Sequence, residues 1–216
     1  MKPLIKFADH ITTVLPLKKL RSVSKALFDS GLTQGWPLSK QGGFATAGIR
    51  LGNLNLELCS VDRSFKKLTE WLTFEPTNIN KLADELSARN IEHNPFNAVV
   101  IHDHPIYTRV GFPDLANSNT AFQICHTYYH TRTTGPTAPT NAAGIKKVTT
   151  IHVGMDAGSK TAVSKMLSPR EFSDSLEFSE GPALSVSKSN KLDIMGLTLT
   201  AENTTQAMNQ LIAAGM

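Results

Sequence analysis

Two residues of this 216-residue chain combine a chemically capable side chain with a clear strand context: His10 and Glu57. An imidazole exchanges protons near neutral pH, and a carboxylate serves as a base or a hard-metal ligand. His10 lies in Phe7-Ala-Asp-His-Ile-Thr-Thr-Val14, where alternation sets it on one face with Thr12 and Val14. It reads either as a ligand or general base or as a hydrogen-bonded interior histidine. Glu57 stands between Leu56 and Leu58 and points opposite to both, with Asn55 and Cys59 on its own face. If the leucines are buried, the carboxylate faces an enclosed space, which is costly unless it is paired or ligated. The bland alternative is a strand whose solvent face carries Glu57.

Other residues carry weaker signals. Gln123 and Cys125 share a face of Phe122-Gln-Ile-Cys-His126. Gln123 orients a ligand better than it neutralises charge. Cys125 is either a soft ligand or nucleophile, or a small core residue. His102-Asp-His104 has metal-like spacing but precedes Pro105, so a surface loop is expected. His126 and His130 accompany Tyr128 and Tyr129, and His126 faces away from Gln123, so it reads as packing. His152 is a secondary candidate on a later strand. Trp36, Trp71 and Phe74 line a cavity or fill a core. No G-x-G-x-x-G occurs, so a nucleotide cofactor is not expected.

These residues are positioned by a repeated element. A half-buried strand, a break and an amphipathic helix recur at Ile11–Ser30, Leu72–Arg89, Thr150–Leu167 and Leu197–Ala214. Leu20, Val23 and Leu27 in the first helix match Ile79, Leu82 and Leu86 in the second, the stripe of a helix lying on a sheet. Ala207 and Leu211 continue it in the fourth. Gly31, Asn90 and Gly215 can take the left-handed conformation that ends a helix. After the first helix, three strands are expected near 32–38, 44–51 and 54–61, with turns at Gly42-Gly43 and Gly52-Asn53. After the second, three are expected near 96–101, 107–111 and 121–129. Each unit is strand, helix and three strands, so the fold class is α+β with mixed sheets rather than a doubly wound parallel sheet.

The Pro/Gly/Thr-rich run 131–144 lacks apolar periodicity and reads as a connector. It separates a complete pair of units (1–134) from a shorter, incomplete half (145–216), expected to pack on the first. With 40% hydrophobic and 19% charged residues the chain is of ordinary globular composition. The formal charge is +4, but lysines and arginines are scattered, so nucleic-acid binding is not expected. Two cysteines do not make a disulfide scaffold, and no membrane span or signal-peptide apolar region is read, so a cytoplasmic protein is expected.

In order and spacing, three segments resemble the glyoxalase-like (vicinal oxygen chelate) superfamily: Phe7–Val14 its first strand, Phe44–Leu58 its third and fourth strands ending in Leu-Glu-Leu, and Ala121–His126 the last strand of its second unit. The Gly144–Val153 strand is similar to the family's glyoxalase-like domain branch. The resemblance spans about residues 7–190. It implies paired βαβββ units curled into a cup. Metal-dependent members send ligands into the cup from the first and last strands of each unit, and His10 and Glu57 match the first-unit positions. The second unit departs from this: repeat alignment sets Thr69 opposite His10, and the last strand offers Gln123 or Cys125. The resemblance therefore implies a divalent metal at His10, Glu57 and Gln123, with Asn55, Trp71 and Cys125 around the substrate. Lyase, isomerase or dioxygenase-type chemistry on a small oxygen-bearing molecule is one expectation. Metal-free sequestration of a small molecule, or a structural module with a vestigial pocket, is the alternative. The expected partner is a small-molecule ligand, and a homodimer is allowed.

Overall fold

Alternating apolar and polar residues build the strands, and i, i+3, i+7 stripes build the helices that cover them. In the computed structural model the order is β1 (Ile5–Val14), α1 (Leu17–Asp29), β2 (Thr33–Gln41), β3 (Phe44–Leu51), β4 (Leu54–Val61), β5 (Glu70–Pro76), α2 (Ile79–Ala88), β6 (Asn97–Ile101), β7 (His104–Ala116) and β8 (Thr120–Thr127). There follow β9 (Ile145–Met155), α3 (Ala157–Met166), β10 (Ser175–Leu176), β11 (Ala183–Lys188), β12 (Asp193–Ala201) and α4 (Thr204–Ala213). The structure describes residues 2–41, 43–61, 69–101, 104–117, 119–128, 144–166, 174–178 and 180–213. No described helix is long and apolar enough to cross a membrane.

The first eight strands form one mixed sheet in the order β2-β3-β4-β1-β5-β8-β7-β6. β1 runs parallel to β4 and β5 parallel to β8, while β1 and β5 meet antiparallel at the centre. Each half of this sheet is therefore one βαβββ unit. β9 to β12 form a second sheet, ordered β10-β11-β9-β12. It repeats the β3-β4-β1-β5 arrangement, with β9 parallel to β11 and antiparallel to β12.

Helix ends follow the sequence. Asn90 takes φ 51° and Gly31 φ 90°, ending α2 and α1 in the left-handed region. Gly215, Ser168-Pro169 and most of the 131–144 connector lie outside the described residues. So do His102, Asp103, Tyr129 and His130. One expectation is corrected: His104 opens β7 instead of sitting in a loop. Pro105 is tolerated there because the β6–β7 ladder is irregular between Val99 and Val100, and Pro105 lies opposite Val100.

The two sheets share one apolar core. Leu4, Ile5, Phe74 and Leu86 belong to the same buried cluster as Val148, Ile151, Val163 and Met166. Polar contacts reinforce the junction. The Asn53 side chain accepts the Val148 N–H at 2.8 Å. Its neighbour Gly52, at φ 69°, lies so close to β9 that a Cβ would fall 2.1 Å from the Lys146 carbonyl oxygen. Arg89 donates to the Lys165 and Met166 carbonyls at 3.2 Å and to the Lys2 carbonyl at 2.6 Å.

Glu70, at the start of β5, faces Asp193 and Lys191 across this junction. Burial first, and then the Asp193 charge, raise its carboxyl above the usual carboxylate range, against an opposing pull from Lys191. A raised folded-state pKa means that ionising Glu70 at neutral pH works against the native state. Glu70→Gln is therefore expected to raise Tm at pH 7, with the gain vanishing as pH falls below the unfolded value near 4.5. Thermal unfolding at both pH values checks this; a lower Tm for the variant at pH 7 contradicts it.

Candidate functional site

The two faces of the eight-stranded sheet differ in chemistry. Ile11, Leu56, Leu58, Leu72, Phe122 and Ile124 are buried together with Leu20 and Leu27 of α1 and Leu82 and Leu86 of α2. By alternation the opposite face carries His10, Thr12, Glu57, Thr73 and Gln123. That face is concave. The sheet curls into a half-barrel, with α1 and α2 packed on its other face. Burial raises the Tyr107 hydroxyl on β7, Arg109 opposes this, and Cys125 and Glu57 add smaller raising contributions.

On this face the first unit holds its carboxylate and imidazole together. His10 Nε2 lies 3.6 Å from Glu57 Oε2. Both Glu57 oxygens accept hydroxyls: Oε2 from Thr12 at 2.9 Å and Oε1 from Thr46 at 2.5 Å. The Thr46 hydroxyl in turn accepts the Trp36 indole N–H at 3.1 Å, which directs its own proton to Glu57. His10 Nδ1 lies 2.8 Å from Asp9 Oδ2. A carboxylate only accepts, so this contact assigns the proton to Nδ1 and leaves Nε2 facing the concavity. Asp9 and His10 are chain neighbours, which on a regular strand point to opposite faces. They meet because the β1–β5 ladder shifts register between Ala8 and His10.

The second unit repeats this arrangement with different chemistry. Register pairs Thr12 with Glu57 in β1–β4 and Thr73 with Gln123 in β5–β8. Both pairs are hydrogen bonded, the Gln123 amide donating to Thr73 at 2.9 Å. Gln123, not Cys125, is therefore the counterpart of Glu57. Two residues before Thr73, the counterpart of His10 is Trp71. The expected alignment of Thr69 with His10 is corrected: Thr69 precedes β5. The helix stripes align Leu20 with Ile79, whereas the ladders align His10 with Trp71, two residues further on. The two repeats join strand to helix through connections of different length.

This donor set is one side chain short of the four ligands that the resemblance implies. It offers one imidazole, one carboxylate and one neutral amide, with an indole in the fourth place and hydroxyls already on both Glu57 oxygens. Among the described residues no group of three or more His, Cys, Asp or Glu side chains is arranged to hold a metal.

Trp71 and Gln123 line a cleft of about 300 Å³ with Asn94, Asn97, Arg109 and Phe112, whereas Asn55 and Cys125 do not. Asn55 pairs with His10 one strand away. Cys125 is buried opposite Arg109, a basic neighbour that chain adjacency does not reveal. Cys59 is wholly buried, and burial followed by the Glu57 charge pushes its thiol up to about 12. His126 bonds the buried Glu75 carboxylate at 2.6 Å and packs edge-on to Tyr128. His152 contacts the Thr198 hydroxyl at 2.7 Å on the second sheet. Phe74 is core. Asp9, Thr12, Thr46, Tyr107 and Arg109 escaped the sequence reading; only the Thr12 alternation with His10 signalled any of them.

Trp36 can reach Thr46 because it lies over Gly48, where a Cβ would fall 2.2 Å from the indole ring. Gly48→Ala is expected to displace the indole, weaken the Thr46–Glu57 contact and cost about 1–3 kcal/mol in overpacking. Gly196→Ala, with nothing within 4 Å of the new Cβ, is the control and should stay within about 0.5 kcal/mol. Urea unfolding measures both, and equal stabilities would contradict the packing argument.

No family model matches the sequence, and no curated protein matches it. Solved structures do. One is a xylose isomerase-like TIM barrel/4-hydroxyphenylpyruvate dioxygenase fusion protein, with a TM-score of 0.64 and 11% identity over 100% of this chain and 40% of that one. This chain thus spans well under two thirds of that protein. A mutant of 4-hydroxymandelate synthase from Streptomyces coelicolor superposes with a TM-score of 0.57 and 13% identity, over 100% of this chain and 76% of that one. A hypothetical protein from Staphylococcus aureus gives 0.58 and 11%, with 92% of each chain covered. At these identities the likeness is one of fold.

Proposed function

We infer that this chain, which has the glyoxalase-like (vicinal oxygen chelate) fold its sequence resembles, binds a small oxygen-bearing molecule on its concave face, where His10 and Glu57 move a proton on it. The observation that carries this reading is the Asp9–His10–Glu57 line, with contacts of 2.8 and 3.6 Å. Asp9 orients the imidazole, Nε2 is presented to the concavity, and Thr12 and Thr46 hold the carboxylate in place. An oriented imidazole beside a fixed carboxylate is the equipment of general acid–base catalysis. The second unit supplies the holding groups instead: Trp71 as an apolar wall and Gln123 as a hydrogen-bonding amide. The reaction class is proton transfer next to a carbonyl, as in an isomerase or lyase. The pair works without a resident metal in this reading, because the donor set is short of ligands.

Proton–deuterium exchange tests it. Small ketones and 2-oxo acids are incubated with the full chain in D2O containing EDTA, and α-proton signals are followed by NMR. At least one compound is expected to exchange faster than in buffer alone. No exchange with any compound, or exchange that appears only on adding a divalent metal, overturns the reading.

A further inference from the structure

We propose that Arg109 anchors a monoanionic group of the ligand, a carboxylate, in the cleft beside Trp71 and Gln123. The inference rests on the concave face being the binding face and adds the chemical class of what binds. The cleft's volume, about 300 Å³, is at the small end for small-molecule sites. Among the described residues Arg109 is the one ionisable side chain lining it: the others are apolar, glycine or amide-bearing. A guanidinium in such a place is ordinarily claimed by a carboxylate of the protein. Among the described residues, Arg109 makes no ion pair and no hydrogen bond.

Among the described residues no carboxylate pairs with this charge, and one positive charge matches one negative charge. A phosphate dianion would ask for a second cation that the lining does not supply. A guanidinium presents two parallel N–H donors to a planar carboxylate. Trp71 and Phe112 offer apolar walls for the body of the molecule, and Asn94, Asn97 and Gln123 offer amides for a further oxygen. The position also suits the reactive pair. Gln123 lines the cleft and bonds Thr73, which pairs with His10 across the β1–β5 ladder, so the cleft and the reactive pair share one sheet face.

Calorimetric titration of the full chain with phenylacetate and with its neutral isostere phenylacetamide tests this. Phenylacetate is expected to bind saturably and phenylacetamide at least tenfold more weakly. Arg109→Gln should lose at least tenfold in phenylacetate affinity and leave phenylacetamide unchanged. Arg109→Lys should fall between, because it keeps the charge and loses the paired donors. Phenylacetate binding is read as heat and needs no proton transfer, so failure of proton transfer and failure of anchoring are told apart. The proposal is overturned if phenylacetate does not bind, if the amide binds equally well, or if Arg109→Gln binds phenylacetate as the wild type does. Should Arg109→Gln not fold, the acid–amide comparison in the wild type still decides.

Discussion

Glu57→Gln is expected to slow α-proton exchange by about 10²- to 10⁴-fold, the range that a positioned acid or base contributes. The amide keeps the size of the side chain but cannot carry the proton. It also spoils the local network: Thr12 and Thr46 each donate to a Glu57 oxygen, and a glutamine offers only one acceptor oxygen. His10→Gln should have a similar effect by removing the group that Asp9 orients. The Cys59→Ala, Cys125→Ala double variant, in contrast, should retain exchange within a few-fold. Cys59 is held near 12 by burial and by Glu57, so it contributes no thiolate at neutral pH. Cys125 is buried and is not among the residues lining the cleft. Exchange that survives Glu57→Gln but disappears on thiol alkylation, with circular dichroism unchanged, would falsify the assignment.

The second large effect concerns stability. Residues 1–134 expressed alone are expected to aggregate or to unfold in a broad, weakly cooperative transition. Removing the C-terminal half uncovers Leu4, Ile5 and Phe74, which share their cluster with Val148, Val163 and Met166. It also strips Arg89, a buried cation, of its acceptors at Lys165 and Met166. Each hydrogen bond to a charged group is worth about 1.5–3 kcal/mol, a large fraction of a domain's net stability. Chemical denaturation followed by fluorescence and circular dichroism decides. A fragment as soluble as the full chain, with an equally steep coincident transition, shows that the second half is dispensable.

Much of the frame was legible because it is encoded locally. The Leu20–Leu27 and Leu82–Leu86 stripes, the left-handed Gly31 and Asn90, and alternation around Leu56-Glu57-Leu58 need only near neighbours along the chain. Alternation groups His10 with Thr12, Glu57 with Asn55 and Gln123 with Cys125, each on one face of its own strand. Register was not legible, since it is a relation between strands. The helix stripes set Thr69 opposite His10, and only the Thr12–Glu57 and Thr73–Gln123 ladders reveal Trp71 in that place. Asp9 was hidden by the same period-two rule that found His10, because a register shift breaks the rule there. Arg109 gave no signal: its meaning lies in the cleft that β5, β7 and β8 form around it. Pro105 points to a loop at His104, whereas the irregular β6–β7 ladder makes room for that proline in a strand.

A crystal structure of the full chain with a compound whose α-proton it exchanges shows which face of the sheet carries the reaction. The compound is expected on the concave face, with the exchanging atom or its adjoining oxygen within about 3.2 Å of His10 Nε2 or a Glu57 oxygen. A compound seated on the helix-covered face or on the β9–β12 sheet, with His10 and Glu57 untouched, would contradict that placement.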